Sequence, residues 1–83
     1  MDQGEGLLIP KCTSVHTWGM RIPIDIVFLK RGQRSFVVTS LHSKVQPWKV
    51  LPITDLSSTD VLELPSGRVQ QCNLQIGEEI CIS

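Results

Sequence analysis

The sequence predicts a mainly β domain, a small sandwich or barrel with one short helix after Pro65. Two observations carry this. Short apolar and β-branched runs alternate with period two and are bounded by turn residues. The chain has 83 residues, 41% hydrophobic and 19% charged, which is the composition of one globular domain rather than of a disordered segment.

The elements follow in order. Met1 to Glu5 is a polar, glycine-containing lead-in expected to fray. Residues 6–9, GLLI, form a short apolar strand stopped by Pro10. Residues 11–23 contain Gly19 and Pro23 and keep no clean period, so they read as a loop with an extended piece around Ser14–Trp18. Ile24–Leu29 is the strongest strand. Ile24, Ile26 and Phe28 share one face; Asp25, Val27 and Leu29 share the other. Both faces are largely apolar, which predicts a central strand covered on both sides. Lys30 to Gln33 reads as a turn in which Gly32 supplies a positive φ, and Arg34–Leu41 as the return strand of a hairpin.

His42–Asp60 is a polar connector broken by Pro47 and Pro52, with a short strand around Val50, Leu51 and Ile53. So long a run in a small domain is expected to pack on the body or line a site. Val61–Leu64 is a strand with Leu62 and Leu64 on one face and Val61 and Glu63 on the other. Pro65 ends it. Ser66 is placed to cap a helix over residues 67–72, with Gly67 letting Pro65 and Ser66 pack closely. Asn73 is placed to stop that helix in the left-handed conformation. Gly77 and Glu78 mark a turn into a last strand, Glu79–Ile82.

Charge and cysteine usage exclude several classes. Eight basic residues balance eight acidic ones, so no net field draws nucleic acid or an anionic membrane. The cluster Lys30, Arg31 and Arg34 reads as a solvated hairpin turn. The first residues lack the basic and apolar parts of a signal peptide, and no apolar run approaches the ~18 residues of a membrane span. A cytoplasmic protein, as sequenced, is expected. Cys12, Cys72 and Cys81 form no CxxC pair, which speaks against a disulfide framework and against a four-cysteine zinc site. Cys72 and Cys81 read as small apolar side chains.

Residues 12–29, CTSVHTWGMRIPIDIVFL, concentrate the side chains able to do chemistry. The ligand-binding candidates are His16, Trp18, Met20, Arg21, Asp25 and Glu63. Cys12 and His16 have a C-x3-H separation that a metal could use, but two ligands do not make a site, so no metal and no cofactor is expected. As a thiolate and its base the pair lacks an orienting residue, and no catalytic residue is assigned. Asp25 lies among apolar neighbours and needs donors. The 11–23 loop, Trp18, Arg21 or His16 could supply them, making Asp25 either the anchor of that loop or a carboxylate in a ligand pocket. Glu63 is a surface charge or a partner of Arg21 or Arg68. Trp18, Met20 and Trp48 pack under the loops or line a pocket.

The leading functional expectation is a non-enzymatic binding or interaction domain. Its pocket lies between the 11–23 loop and the 42–60 connector, for an unidentified small-molecule or protein ligand. One alternative is a small hydrolase or metal-dependent enzyme using His16 and carboxylates, which requires His16, Asp25 and Glu63 to converge. The other is a structural module with no small ligand.

The motifs also run in a recognisable order: GEGLLIPKC, SVHTWGMRIPIDIVFL, a hairpin with Gly32, QPW at 46–48, VLELPSG at 61–67 and IGEEI at 76–80. From Gly4 on, this resembles the bacterial and archaeal family known as domain of unknown function 192. His16, Met20, Asp25, Glu63 and Gly67 fall on the family's pattern. The resemblance implies a small, mainly β, sandwich-like domain with one short helix and no assigned reaction. Many members carry an export signal or lie in envelope-associated contexts. Asn73 stands where members usually have Gly, Glu78 where Asp is usual, and Lys30 replaces a frequent Asp. Members typically have a further segment before GEGLL, with a strand and a GLM-type motif, which this chain lacks. A small sandwich short of one strand exposes an edge and apolar faces, so a homo-oligomer, most simply a dimer, is expected.

Overall fold

The computed structural model describes residues 6–15, 22–46 and 53–81. In chain order the elements are β1 (Leu7–Ile9), β2 (Ser14–Val15), β3 (Ile24–Arg31), β4 (Phe36–Val45), β5 (Ile53–Thr54), β6 (Asp60–Pro65), α1 (Arg68–Gln71) and β7 (Glu79–Ile80). Five strands form one antiparallel sheet in the order β1-β6-β3-β4-β7, and β2 pairs with β5 separately. The large sheet curls into a half-barrel. The fold is mainly β with one short helix, as the period-two pattern predicts.

β3 is the middle strand, and Ile24 to Leu29 are all buried. Its alternation divides the core. On one face Ile24, Ile26 and Phe28 meet Val61, Val45, Val15 and Ile53, so the β2–β5 pair closes that side. On the other face Val27 and Leu29 meet Phe36, Val38 and Val69, the last brought by α1. Each fully buried side chain of this kind contributes about 1.5–3 kcal/mol over an exposed one. The register also aligns side chains in rows across the strands. Leu8, Leu62, Val27 and Leu41 form one row. Leu7, Glu63, Ile26 and His42 form another, on the opposite face.

Several sequence expectations are corrected. β3 runs two residues past Leu29. The Arg31 N–H donates to Thr59 Oγ1 at 2.7 Å, and the Arg31 guanidinium donates to Asp60 at 2.6 Å while lying 4.9 Å over the Phe36 ring. Arg31 is therefore tied to the sheet, although Lys30, Arg31 and Arg34 are all exposed, as a solvated turn requires. Burial of Asp60 acts to raise its pKa, but hydrogen bonds from Thr59 and Arg31 outweigh it and hold the carboxyl below its ordinary value.

β4 starts at Phe36 rather than Arg34 and continues to Val45, through residues expected to be connector. β6 gains Asp60 and Pro65 at its ends. β1 lacks Gly6, and β7 stops at Ile80, with Ile82 outside the described residues. Gly32 is not among the glycines with positive φ. Its need is closeness: a Cβ there would sit 3.0 Å from the Ser35 carbonyl, to which the Gly32 N–H donates. Cys72 and Cys81 are exposed rather than packed, one at the end of α1 and the other just past β7.

The start of α1 is corrected too. Gly67, not Ser66, is the N-cap; it has φ 89°, and no side chain within the segment caps the helix. A Cβ at Gly67 would meet nothing within 4 Å, so the glycine serves its left-handed backbone and not close packing. The other end behaves as Asn73 predicts. Asn73 has φ 54°, its N–H donates to Gln70, and the Leu74 N–H reaches back to Val69 in a Schellman arrangement.

Candidate functional site

β4 carries two irregularities, and each is clasped by an aspartate from elsewhere in the chain. Phe28 pairs with Ser40 but Leu29 pairs with Val38, so Thr39 is an extra residue. The Thr39 hydroxyl donates to Asp55 at 2.7 Å and the Ser40 hydroxyl at 2.8 Å. The other Asp55 oxygen accepts from the Ser57 N–H at 3.0 Å and from its hydroxyl. The Ser57 hydroxyl above all, then that of Thr39, holds the Asp55 carboxyl far below its ordinary value, against the partial burial that works to raise it. Asp55 thereby ties β4 to the 55–58 turn. Its own N–H donates to Thr13 beside β2.

The second irregularity lies opposite Asp25. Ile24 pairs with Val45 and Ile26 with His42, leaving Ser43 and Lys44 facing one residue. Lys44 takes up the excess in the left-handed conformation, φ 53°. Asp25 is fully buried and accepts the Lys44 N–H on one oxygen at 2.8 Å. Its other oxygen accepts the Val69 N–H, also at 2.8 Å, in the first turn of α1. A buried carboxylate thus satisfies two otherwise orphaned donors, and it supplies the helix cap that Ser66 does not.

Beside this bulge lies an open groove of about 610 Å³, lined by residues 41–46 and by Ile53. Of its apolar lining residues, Val45 and Ile53 belong to the core on one face of the sheet and Leu41 to that on the other. His42 stands edge-on to Phe28, ring centroids 5.6 Å apart. The Gln46 carboxamide nitrogen lies 3.4 Å from the Lys44 carbonyl. Lys44 is exposed and is the one formally charged side chain among the described lining residues.

Of the six sequence candidates, His16, Trp18, Met20 and Arg21 lie outside the described residues, as does Trp48. Asp25 and Glu63 are described, and they occupy opposite faces of the sheet. Asp25 aligns with Leu64 and faces α1, while Glu63 aligns with Ile26 and faces the other way. Among the described bonds Asp25 anchors β4 and α1, not the 11–23 loop. Glu63 is half-buried, and that burial raises its pKa. Among the described residues it pairs with no cation, Arg68 included. The Cys12 thiol donates to the Ser14 carbonyl at 3.0 Å. Among the described residues no three His, Cys, Asp or Glu side chains gather closely enough to hold a metal. None of their helices is long and apolar enough to cross a membrane.

Sequence reasoning missed His42 and Lys44. Both sat in a presumed connector, and the signal was faint: a polar run directly following a β-branched strand. His42 shares the row of Glu63 with Ile26 between them, two strand spacings or about 10 Å apart.

Comparison with known proteins adds the following. A family model described as an uncharacterised conserved group, domain of unknown function 192, matches residues 1–82. No curated protein matches. A solved structure of a protein of unknown function from Novosphingobium aromaticivorans is similar in fold, with TM-score 0.77 and 21% identity. The alignment covers 96% of this chain and 59% of that one, so this chain spans less than two thirds of its neighbour's length.

Proposed function

The chain belongs to the uncharacterised family of domain of unknown function 192, whose model spans residues 1–82, and from that premise we propose that it is a non-enzymatic binding domain whose site is the groove beside β4. The observation that carries this reading is the groove itself. Its volume suits a small ligand, and its lining combines apolar residues with a few polar groups along β4. Its shape is held by Asp25 and Asp55, which fix the two bulges of that strand.

The enzyme reading is weaker on chemical grounds. A carboxylate held by several donors within the protein is more simply a structural group than a general acid or base. Both oxygens of Asp25, Asp55 and Asp60 already accept hydrogen bonds. Glu63 lies on the same face as His42, with Ile26 between them in the row.

Two finer points belong to this proposal. The domain acts in the cytoplasm; three free thiols, two of them exposed, suit a reducing compartment. It also self-associates. β1 is an edge strand of three residues, and Leu7 on it is 53% exposed, so two copies can pair there.

The test of the groove is a titration of the 15N-labelled protein with mixtures of small amphipathic fragments. The expected result is saturable shifts confined to the amides of residues 41–46 and 53. Shifts confined to other surfaces, or none at millimolar fragment, overturn the reading.

A further inference from the structure

We infer that α1 and the bulge at residues 43–44 of β4 form one conformational latch, opening and closing together about Asp25 while the strands around them stay paired. Asp25 is fully buried, and its two oxygens are divided between the halves of the latch. One takes the Lys44 N–H and the other the Val69 N–H, both at 2.8 Å. Neither half is held by its own segment alone. α1 has four residues and no side-chain cap of its own. Lys44 adopts φ 53° inside a strand. Lys11 has the same φ in a turn, whereas within a strand that conformation has to be imposed.

Sharing one carboxylate couples the halves. A buried carboxylate is unfavourable unless donors meet its lone pairs. With both N–H groups in place that penalty is offset. With α1 lifted, Asp25 loses the Val69 N–H, and water reaches the carboxylate where the helix stood. Once solvated, Asp25 no longer depends on Lys44, and the left-handed residue relaxes toward ordinary strand geometry. In the other direction, flattening the bulge strips a donor from an oxygen that is still enclosed, and lifting α1 relieves it. The half-open states are the unfavourable ones, so the latch has two states. By reciprocity, whatever steadies residues 43–44 from the groove also steadies α1, and whatever grips α1 also fixes the bulge. The clasp of Asp55 on Thr39, Ser40 and Ser57 shares no oxygen with Asp25 and stands outside this unit.

Amide hydrogen exchange of the 15N-labelled protein tests the latch without any ligand. The Lys44 and Val69 amides are expected to show the same protection within about twofold, and about tenfold or more below that of the β3 amides. Two variants then act on one half each. Gly67→Ala forces a side chain onto φ 89°, where its Cβ meets nothing within 4 Å, so it acts on α1 through the backbone alone. Lys44→Val places a β-branched residue at φ 53°. Each is expected to lower protection at both amides by a common factor of about ten. The Ser57 amide, held by Asp55, is expected to stay unchanged.

If the Lys44 and Val69 amides differ in the parent, or if either variant fails to lower both, the two halves open independently and the inference is overturned. If both amides share the protection of β3 in the parent, or if Ser57 falls with them in the variants, the domain opens as a whole and there is no latch.

Discussion

A single buried carboxylate does two jobs at once. Asp25 closes the bulge at Lys44, caps the first turn of α1, and sits in the middle strand with no exposure to solvent. Asp25→Asn is nearly isosteric, but its amide offers one acceptor where two donors wait. One buried N–H is left unsatisfied, and the expected loss is about 1–3 kcal/mol in urea denaturation. Asp25→Ala orphans both donors and adds a cavity, so it should cost more, of order 3 kcal/mol or above. A midpoint for Asp25→Asn equal to the parent would mean that the amide satisfies both donors and the carboxylate is dispensable. That Asp25 needs partners is legible in the sequence, because a carboxylate flanked by Val27 and Leu29 must be paired. Which partners it takes is not. Residues 44 and 69 reach it only through the curl of the sheet, and no local pattern encodes that.

The elements show the same division between local and distant causes. The buried stretch of β3, Ile24 to Leu29, is legible because its alternation reports burial on both faces. β4 could not, because its two bulges break the alternation from Thr39 onward and leave polar residues inside a strand. α1 was located but its cap was misassigned, since the capping oxygen comes from another element. Gly67→Ala should therefore cost about 1–2 kcal/mol from the forced positive φ alone, whereas Ser66→Ala should leave the denaturation midpoint unchanged. The Asp55 clasp gives β4 a pH dependence. Its folded pKa lies below the unfolded value of 3.8, so its stabilisation is complete above that value and is lost as pH falls through the folded one. Asp55→Asn should lower the melting temperature at pH 7 and flatten its decline below about pH 4. Parallel curves for parent and variant across the acid range would show that Asp55 contributes nothing through its charge.

At the scale of the molecule, one question is whether the sheet stays alone. The sheet ends in short strands, β1 with three residues and β7 with two, which limits the edge either can offer. Leu7, exposed on β1, favours pairing there. Light scattering at micromolar concentration should give a mass near twice 9.3 kDa, and Leu7→Lys should restore the single-chain value. A monomeric parent would end the self-association proposal. The clasp at Asp25 also fixes an order of events in time. Its two bonds join it to residues 19 and 44 positions along the chain. A four-residue helix has no persistence of its own, since isolated helices below about 12 residues are marginal. α1 therefore cannot seed folding and must wait until β3, β4 and β6 have delivered the carboxylate. Stopped-flow traces of Asp25→Asn should show faster unfolding with refolding barely slowed, the mark of contacts made after the rate-limiting barrier. On that order α1 forms after the three strands that hold its cap, and it is expected to open before them.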